Sequence, residues 1–450
     1  MPPPRHQRSE RAPPAGLLAR EVAVSCLADV LDRGRPLDDA FDAATAGAPD
    51  LPVRDRAFAR LLVLTALRRR GEFEAVLGSF LERPLPKEAA RTRHILLAAV
   101  AQLLGLDTPP HAAISLAVDQ CRADRKGGHR FAGLANAVLR RVSSTGRERL
   151  AGLDSVTANV PAHLLDGWRA AYGSDRARAI AEASLREAAL DLSVKADAAA
   201  WAGRLGGLAL PTGSVRIAHA GRVEELPGYD EGAWWVQDAA AALPARLLGN
   251  VRGLAVADLC AAPGGKTAGL AAAGARVTAV DSSPARLARL SENLARLALE
   301  AEVVEADART WEPGRTFDGV LLDAPCSATG TLRRHPDILH LKRKEHSAER
   351  VTLQRRLLER AARLVRPGGL LVYCTCSLEP EEGDGVVAAF LAAAGGEFAR
   401  VPVAPGEAEI PAEWLTPAGD LRTLPCHLPN ADPALAGLDG FFAARLRRAG

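Results

Sequence analysis

No Cys-x-x-Cys pair occurs in the 450 residues, although the chain carries seven cysteines. That absence argues against a zinc ribbon and against the disulfide framework of a small secreted protein. A reducing, cytoplasmic setting with no metal is the simplest expectation. No uncharged run reaches the ~18 apolar residues of a spanning helix, and the apolar stretch 95–106 reads as a buried helix. The N-terminal MPPPRHQRSERAPPAG is basic in part but has no apolar core, so neither a secretory signal nor a membrane partner is expected. Lysine is scarce: only six of the 57 basic residues are Lys. With 25% charged and 48% hydrophobic residues the composition is that of a globular chain and excludes wholesale disorder.

Charge is unevenly divided. Through Leu150 the chain carries 24 Lys and Arg against 17 Asp and Glu, a net of +7, and the remainder is −4. A basic N-terminal third is compatible with a phosphate backbone as partner, although an arginine excess also arises from compositional bias alone. Residues 1–15, with five prolines, read as a disordered tail. From Leu17 to about Thr145, apolar residues recur at three and four, which predicts about seven short helices and no strand. Thr108-Pro109-Pro110 marks one helix entry. Residues 144–161 read as a linker, 162–185 as one or two helices, and 190–236 as small strands and loops with frequent glycine.

Beyond Val236 short apolar strands alternate with helices: 253–259, 276–280, 317–322 and 369–375, the last after a long helix over about 344–365. This rhythm predicts a parallel sheet with helices on both faces. Right-handed crossovers then place all strand C-termini on one edge, where ligands bind. Three domains are expected, with bounds 16–150, 151–240 and 241–450.

The chemistry gathers at that edge. Residues 256–267 read VADLCAAPGGKT, a strand, a glycine turn and a helix start. A phosphate-binding P-loop would need glycine where Cys260 stands, and the dinucleotide fingerprint G-x-G-x-x-G fails as well. Asp281 ends the second strand, where an acid suits a ribose with free hydroxyls. A further short strand leads to Glu305-Ala306-Asp307, and Asp323 follows the strand 317–322. Acids at successive strand ends with few phosphate ligands fit S-adenosylmethionine better than a nucleotide. Cys326 and Cys376 fall just past neighbouring strand ends, an arrangement that suits covalent catalysis by a thiolate. Cys374 and Cys376 are two apart in an extended run, so spacing alone does not choose between them.

DLCAAPGGKT, DAPCSATG and TCS together resemble the RNA cytosine-5 methyltransferases. PPHAA at 109–113 and ANAVLRR at 135–141 resemble the helical domain shared with the antitermination factor NusB. The order NusB-like domain, small linking domain, methyltransferase domain resembles the RsmB (Sun/Fmu) family, which modifies small-subunit ribosomal RNA. The likeness covers about 17–446, with Cys374 as an extra cysteine and a loose match over 190–236.

The resemblance implies an all-α NusB-like domain, a small α+β linking domain and an α/β Rossmann-like class I methyltransferase, working as a monomer on 16S ribosomal RNA. It implies that Cys376 is the nucleophile that attacks C6 of cytosine, that Cys326 assists release, and that Asp323 stabilises the base. It implies S-adenosylmethionine on Cys260, Ala261, Ala262, Pro263, Gly264, Gly265, Lys266, Asp281, Asp307 and Asp323. Arg333 and Arg334 are candidates for RNA phosphates, or else ordinary surface arginines. Rival readings are a tRNA cytosine-5 methyltransferase, a protein or small-molecule methyltransferase, and a NusB-like RNA-binding regulator without catalysis. The last is disfavoured because every residue the reaction requires is present.

Overall fold

The computed structural model describes residues 16–125, 127–218, 220–341 and 347–450. The expected tail at 1–15 and the start of the expected helix at 344 lie outside these residues. The described chain forms two compact units. One comprises the residues up to Pro161 together with His335–Leu341, and the other Ala162–Arg334 and the described residues from 347 onward. Among the described residues no helix is long and apolar enough to cross a membrane, and no cluster of His, Cys, Asp and Glu is arranged to hold a metal.

The first unit winds its apolar repeats into helices Leu17–Arg33, Leu37–Ala46, Val53–Arg68, Arg70–Gly78, Ala90–Val100, Pro110–Ala123 and Ala132–Ala151. Pro110 occupies the first turn of its helix, where its missing N–H has no intrahelical partner to lose. Leu27, Leu62, Leu67, Phe73, Ile95 and Leu139 are fully buried among these helices. Each contributes roughly 1.5–3 kcal/mol through burial.

The predicted linker at 144–161 does not exist. Its first half completes the helix Ala132–Ala151, and a further helix, Ser155–Asn159, follows. Ser144 and Thr145 hide the periodicity because their hydroxyls bond back to the Arg141 carbonyl within the helix. Asn159 then fastens the segment. Its Oδ1 accepts from the Glu72 N–H at 3.1 Å, one of the free donors at the start of helix Arg70–Gly78, and its Nδ2 donates to the Glu72 carboxylate at 2.8 Å. His335–Leu341 is equally unforeseen in this unit. Asp337 accepts from the Leu37 N–H at 3.1 Å, and His340 Nε2–H donates to the Leu67 carbonyl at 2.8 Å. Burial lowers the His340 pKa to about 4, so the ring is neutral at physiological pH.

The second unit begins with helices Ala162–Tyr172 and Ser174–Ser184. A small antiparallel sheet follows: β1 (Leu190–Val194), β2 (Leu208–Ala209), β3 (Ser214–Ile217) and β4 (Trp234–Val236), in the order β2-β3-β1-β4. Its β1–β3 pairing is locked by Arg216, whose Nε and Nη2 both reach the buried Asp191 carboxylate at 2.7 Å. The large sheet contains β5 (Ala255–Leu259), β6 (Arg276–Asp281), β7 (Glu302–Glu305), β8 (Phe317–Asp323), β9 (Val365–Thr375), β10 (Phe398–Arg400), β11 (Leu421–Thr423) and β12 (Phe441–Arg448). Its order is β10-β12-β9-β8-β5-β6-β7, with β11 also paired to β12. Strands β5 to β9 are parallel, as the strand–helix rhythm predicts. The last three strands run antiparallel, which that rhythm does not show. Only turns and a short 3₁₀ segment join β11 to β12, without the α-helix that usually carries a parallel crossover. The distinct four-stranded sheet supports, as a proposal, a linking domain before a methyltransferase domain.

Gly71 tests the packing of 155–159. A Cβ there would lie 1.7 Å from the Ala158 carbonyl oxygen. Gly71→Ala should destabilise the protein by about 1–3 kcal/mol or more, whereas Gly133→Ala, which meets open space in a helix, should be neutral or stabilise by up to about 1 kcal/mol. Equal melting temperatures for the two variants would contradict this packing.

Candidate active site

The chain order of the parallel strands reverses between β5 and β8: β6 and β7 extend the sheet on one side, β8 and β9 on the other. At such a switch point the loops after the two central strands diverge and leave a crevice at their C-terminal ends. Every candidate site residue lies at or just beyond the C-terminal end of one of the parallel strands β5 to β9.

After β5 the chain turns sharply through Cys260–Gly264 into helix Gly265–Ala272. Gly264 has φ 102°, and a Cβ there would press on Leu290 at 2.9 Å, so only glycine fits. Asp281, at the tip of β6, is 4% exposed. Its carboxylate accepts from the N–H groups of Ala262 at 3.2 Å and Ser283 at 3.0 Å and pairs with Arg286 at 3.3 Å. Arg286 also donates to the Ala262 carbonyl, so Asp281 and Arg286 brace the Cys260–Lys266 loop together. Asp307 follows β7 and is brought beside Asp281, since the Ala306 N–H donates to the Asp281 carbonyl at 3.1 Å. Its half-exposed carboxylate is held below the usual range by bonds from Arg309.

Asp323 closes β8 and receives Lys266 Nζ at 2.6 Å. Lys266 is buried and lies 4.8 Å from the Phe441 ring centre. Burial pulls its pKa down, but Asp323 outweighs that and the net shift is upward, so the ammonium stays charged. Beneath them Asp258 is completely buried and takes a bond from the Thr267 hydroxyl at 2.6 Å. Burial raises its pKa to about 7.

The cysteines separate clearly. In the parallel pairing of β8 with β9, Asp323 lies opposite Cys374. Cys374 is 0% exposed, its Sγ 3.6 Å from Asp323 Oδ1, and burial followed by Asp323 drives its thiol pKa well up. Cys260 is pushed up to about 12, chiefly by burial. Cys376 lies beyond the strand end, half-buried, with its Sγ 3.5 Å from Cys326 Sγ. The Cys326 thiol is raised well above its ordinary value, first by that contact and then by burial.

A polar network that sequence reasoning did not find ties the two cysteine loops. Ser327, Thr329, Ser377, Glu379 and Glu382 bond to one another across them. The Gly330 N–H donates to the Cys376 carbonyl at 2.9 Å. The run Glu379-Pro380-Glu381-Glu382, directly after TCSL on the ligand edge, was the available signal. A cleft of about 1320 Å³ opens beside the network, lined in part by Trp168, Ser327, Thr329, Arg350 and Glu379.

Arg333 does not face solvent, and Arg334, 23% exposed, is taken up by two buried acids, so neither stands as a free surface cation for phosphate. Arg333 is 2% exposed and donates to the Ala436 carbonyl at 2.7 Å. Arg334 bonds the carboxylates of Asp238 and Asp439, the latter at 3.0 Å. Burial lowers the Arg334 pKa, the two acids outweigh it, and the cation persists.

Comparison with known proteins shows the family of the chain. Residues 246–447 match the family model of the 16S rRNA methyltransferase RsmB/F, and residues 17–144 match that of the NusB family. The chain is 40% identical over 446 residues to ribosomal RNA small subunit methyltransferase B of Xylella fastidiosa (strain Temecula1), covering 96% of this chain and 98% of that protein. It is 40% identical to the protein of the same name from Xanthomonas campestris pv. campestris, covering 84% and 88%. Among solved structures, PH0851 superposes with a TM-score of 0.73 at 23% identity, covering 97% of this chain and all of the other, which is a likeness of fold. A methyltransferase homologue from Pyrococcus horikoshii gives a TM-score of 0.51 at 26% identity, covering 66% and 96%.

The pairing of Arg334 with two buried acids has a measurable consequence. Arg334→Ala leaves Asp238 and Asp439 without their cation and should cost about 3–5 kcal/mol of stability. Unchanged denaturant stability together with weakened RNA binding would restore the surface role.

Proposed function

The chain belongs to the RsmB/F family of 16S rRNA methyltransferases, and on that premise we propose that it methylates carbon 5 of a cytidine in small-subunit ribosomal RNA through a transient cysteine–C6 bond. One observation carries this reading: the Cys376 and Cys326 sulfurs lie 3.5 Å apart beside the Lys266–Asp323 pair.

The cofactor is S-adenosylmethionine, and the residues present suit it. Asp281 and Asp307 offer acceptors to ribose hydroxyls, the Gly264–Gly265 turn admits close backbone approach, and the acids favour a cationic sulfonium. Bound there, it supplies an electrophilic methyl group.

The protein's own part concerns the base. Carbon 5 of cytosine is a poor nucleophile. Addition of the Cys376 thiolate to C6 pushes electron density onto C5 and makes it enamine-like, ready to accept the methyl. Asp323, fixed on one oxygen by Lys266, accepts from the exocyclic amine and steadies the base as the ring loses aromaticity. Loss of the C5 proton to solvent water, with its bonding pair re-forming the C5–C6 double bond and expelling the Cys376 thiolate, restores it. Cys326, kept as a thiol by its surroundings, presents a proton toward the departing sulfur. The target cytidine must be unstacked for C6 to be reached. The basic helical unit serves the ribosomal RNA in this reading.

Three cysteine variants test the chemistry. Cys376→Ala should abolish methylation and form no covalent RNA complex while retaining cofactor binding. Cys374→Ala should keep most activity. Cys326→Ala should carry out attack and transfer but release slowly, so a denaturant-resistant protein–RNA band accumulates on gels. A covalent band that persists in Cys376→Ala and vanishes in Cys374→Ala would reverse the assignment. For the cofactor, removing the charged acceptor in Asp281→Ala should cost roughly 1.5–3 kcal/mol, a 10- to 150-fold loss of S-adenosylmethionine affinity. Unchanged affinity by calorimetry, with the fold intact, would take Asp281 out of the site.

A further inference from the structure

Two carboxylates just past Cys376 have no part in the chemistry above. Glu382 is 0% exposed, and a buried carboxylate persists only where donors satisfy it. Its Oε2 accepts from the Ser327 N–H at 2.9 Å and lies 2.8 Å from the Ser327 hydroxyl. Its Oε1 accepts from Arg350 Nε at 2.9 Å. Its main-chain carbonyl is held in turn by the Tyr373 hydroxyl at 2.6 Å. Ser327 directly follows Cys326, so the bond to its amide fixes the peptide from which Cys326 projects. Glu379 does something different. Its Oε2 gathers hydroxyls from both loops: Ser327 and Ser377, each at 2.9 Å, and Thr329. Among the described residues, the Glu382 carboxylate grips the Cys326 loop and Arg350, while the Cys376 main chain is held separately, by Gly330.

We propose that Glu382 is a positioning residue that holds Cys326 against Cys376, and so controls release of the methylated RNA and not the initial attack. The release half of this inference rests on the assignment of Cys326 given above. The spacing half does not, because the sulfur–sulfur contact exists without RNA.

The test uses the full chain and separates the two halves. Glu382→Gln keeps the volume but puts an amide where Arg350 and Ser327 need acceptors. Glu382→Asp keeps the charge and withdraws it by one methylene. The first measurement needs no RNA. Diamide takes two electrons and two protons from Cys326 and Cys376, leaving a disulfide and the hydrazine, and peptide mass spectrometry follows the rate. That rate should fall ~10-fold in Glu382→Gln, the order of one lost charge-assisted hydrogen bond, and less in Glu382→Asp. In the second measurement, with 16S rRNA and S-adenosylmethionine, Glu382→Gln should accumulate the same denaturant-resistant complex as Cys326→Ala. S-adenosylmethionine affinity should stay within about twofold, which a general loss of structure would not allow. If Glu382→Gln does not fold, Glu382→Asp decides both measurements.

Wild-type cross-linking rates in a folded variant would overturn the proposal. So would slowed cross-linking without the trapped complex, when Cys326→Ala does trap it. If cross-linking slows and neither variant traps RNA, the positioning role stands and the release assignment falls.

Discussion

Asp323 faces Cys374 across the parallel pairing of β8 and β9, and the geometry of the site follows from that register. Three residues further along one strand comes Cys326, and two further along the other comes Cys376. The pairing extends one step past the strand, where the Ala324 N–H donates to the Cys374 carbonyl at 2.9 Å. A slip of one residue would reverse which side chains face the crevice. It would turn Cys376 away from Cys326 and move Asp323 off Lys266. The two strands are anchored by burial, since Val320, Leu321, Leu322, Leu371, Val372 and Tyr373 are all inaccessible to solvent.

Beyond the strand ends, backbone pairing stops and side chains take over. The Ser327, Ser377, Glu379 and Glu382 network does for the loops what the ladder does for the strands. Polar groups are costly inside a protein unless every donor and acceptor is matched. Where they are matched, they hold atoms more narrowly than apolar packing does. That suits the proposed reaction, in which two sulfurs act on one base in succession.

Several arginines of the second unit serve as internal braces. Arg216 with Asp191 is fully buried, and the partly buried Arg334 and Arg350 reach the buried carboxylates of Asp238, Asp439 and Glu382. The planar guanidinium satisfies several acceptors at once, which an ammonium cannot do with the same geometry. The excess of arginine over lysine therefore reflects interior architecture as well as any surface role. A count of charges along the chain does not distinguish the two.

The helical first unit, the parallel strands β5 to β9 and the placement of Asp281, Asp323, Cys326 and Cys376 on one sheet edge were all legible in the sequence. Hydrophobic period and strand-end position are local properties, carried by a few neighbouring residues. Three things were not legible. The helices across 144–161 depend on Asn159 meeting Glu72, and His335–Leu341 joins the helical unit through Asp337 and His340. The antiparallel β10, β11 and β12 have no local signature of direction. The distinction between Cys374 and Cys376 and the inward turn of Arg333 rest on burial, and the role of Arg334 rests on its two buried acids. Burial and pairing are decided by residues tens to hundreds of positions away. The sequence by itself therefore determined which chemistry was present and at which edge. Only the tertiary structure decided which sulfur is reachable, which arginines are structural, and which carboxylates hold the loops.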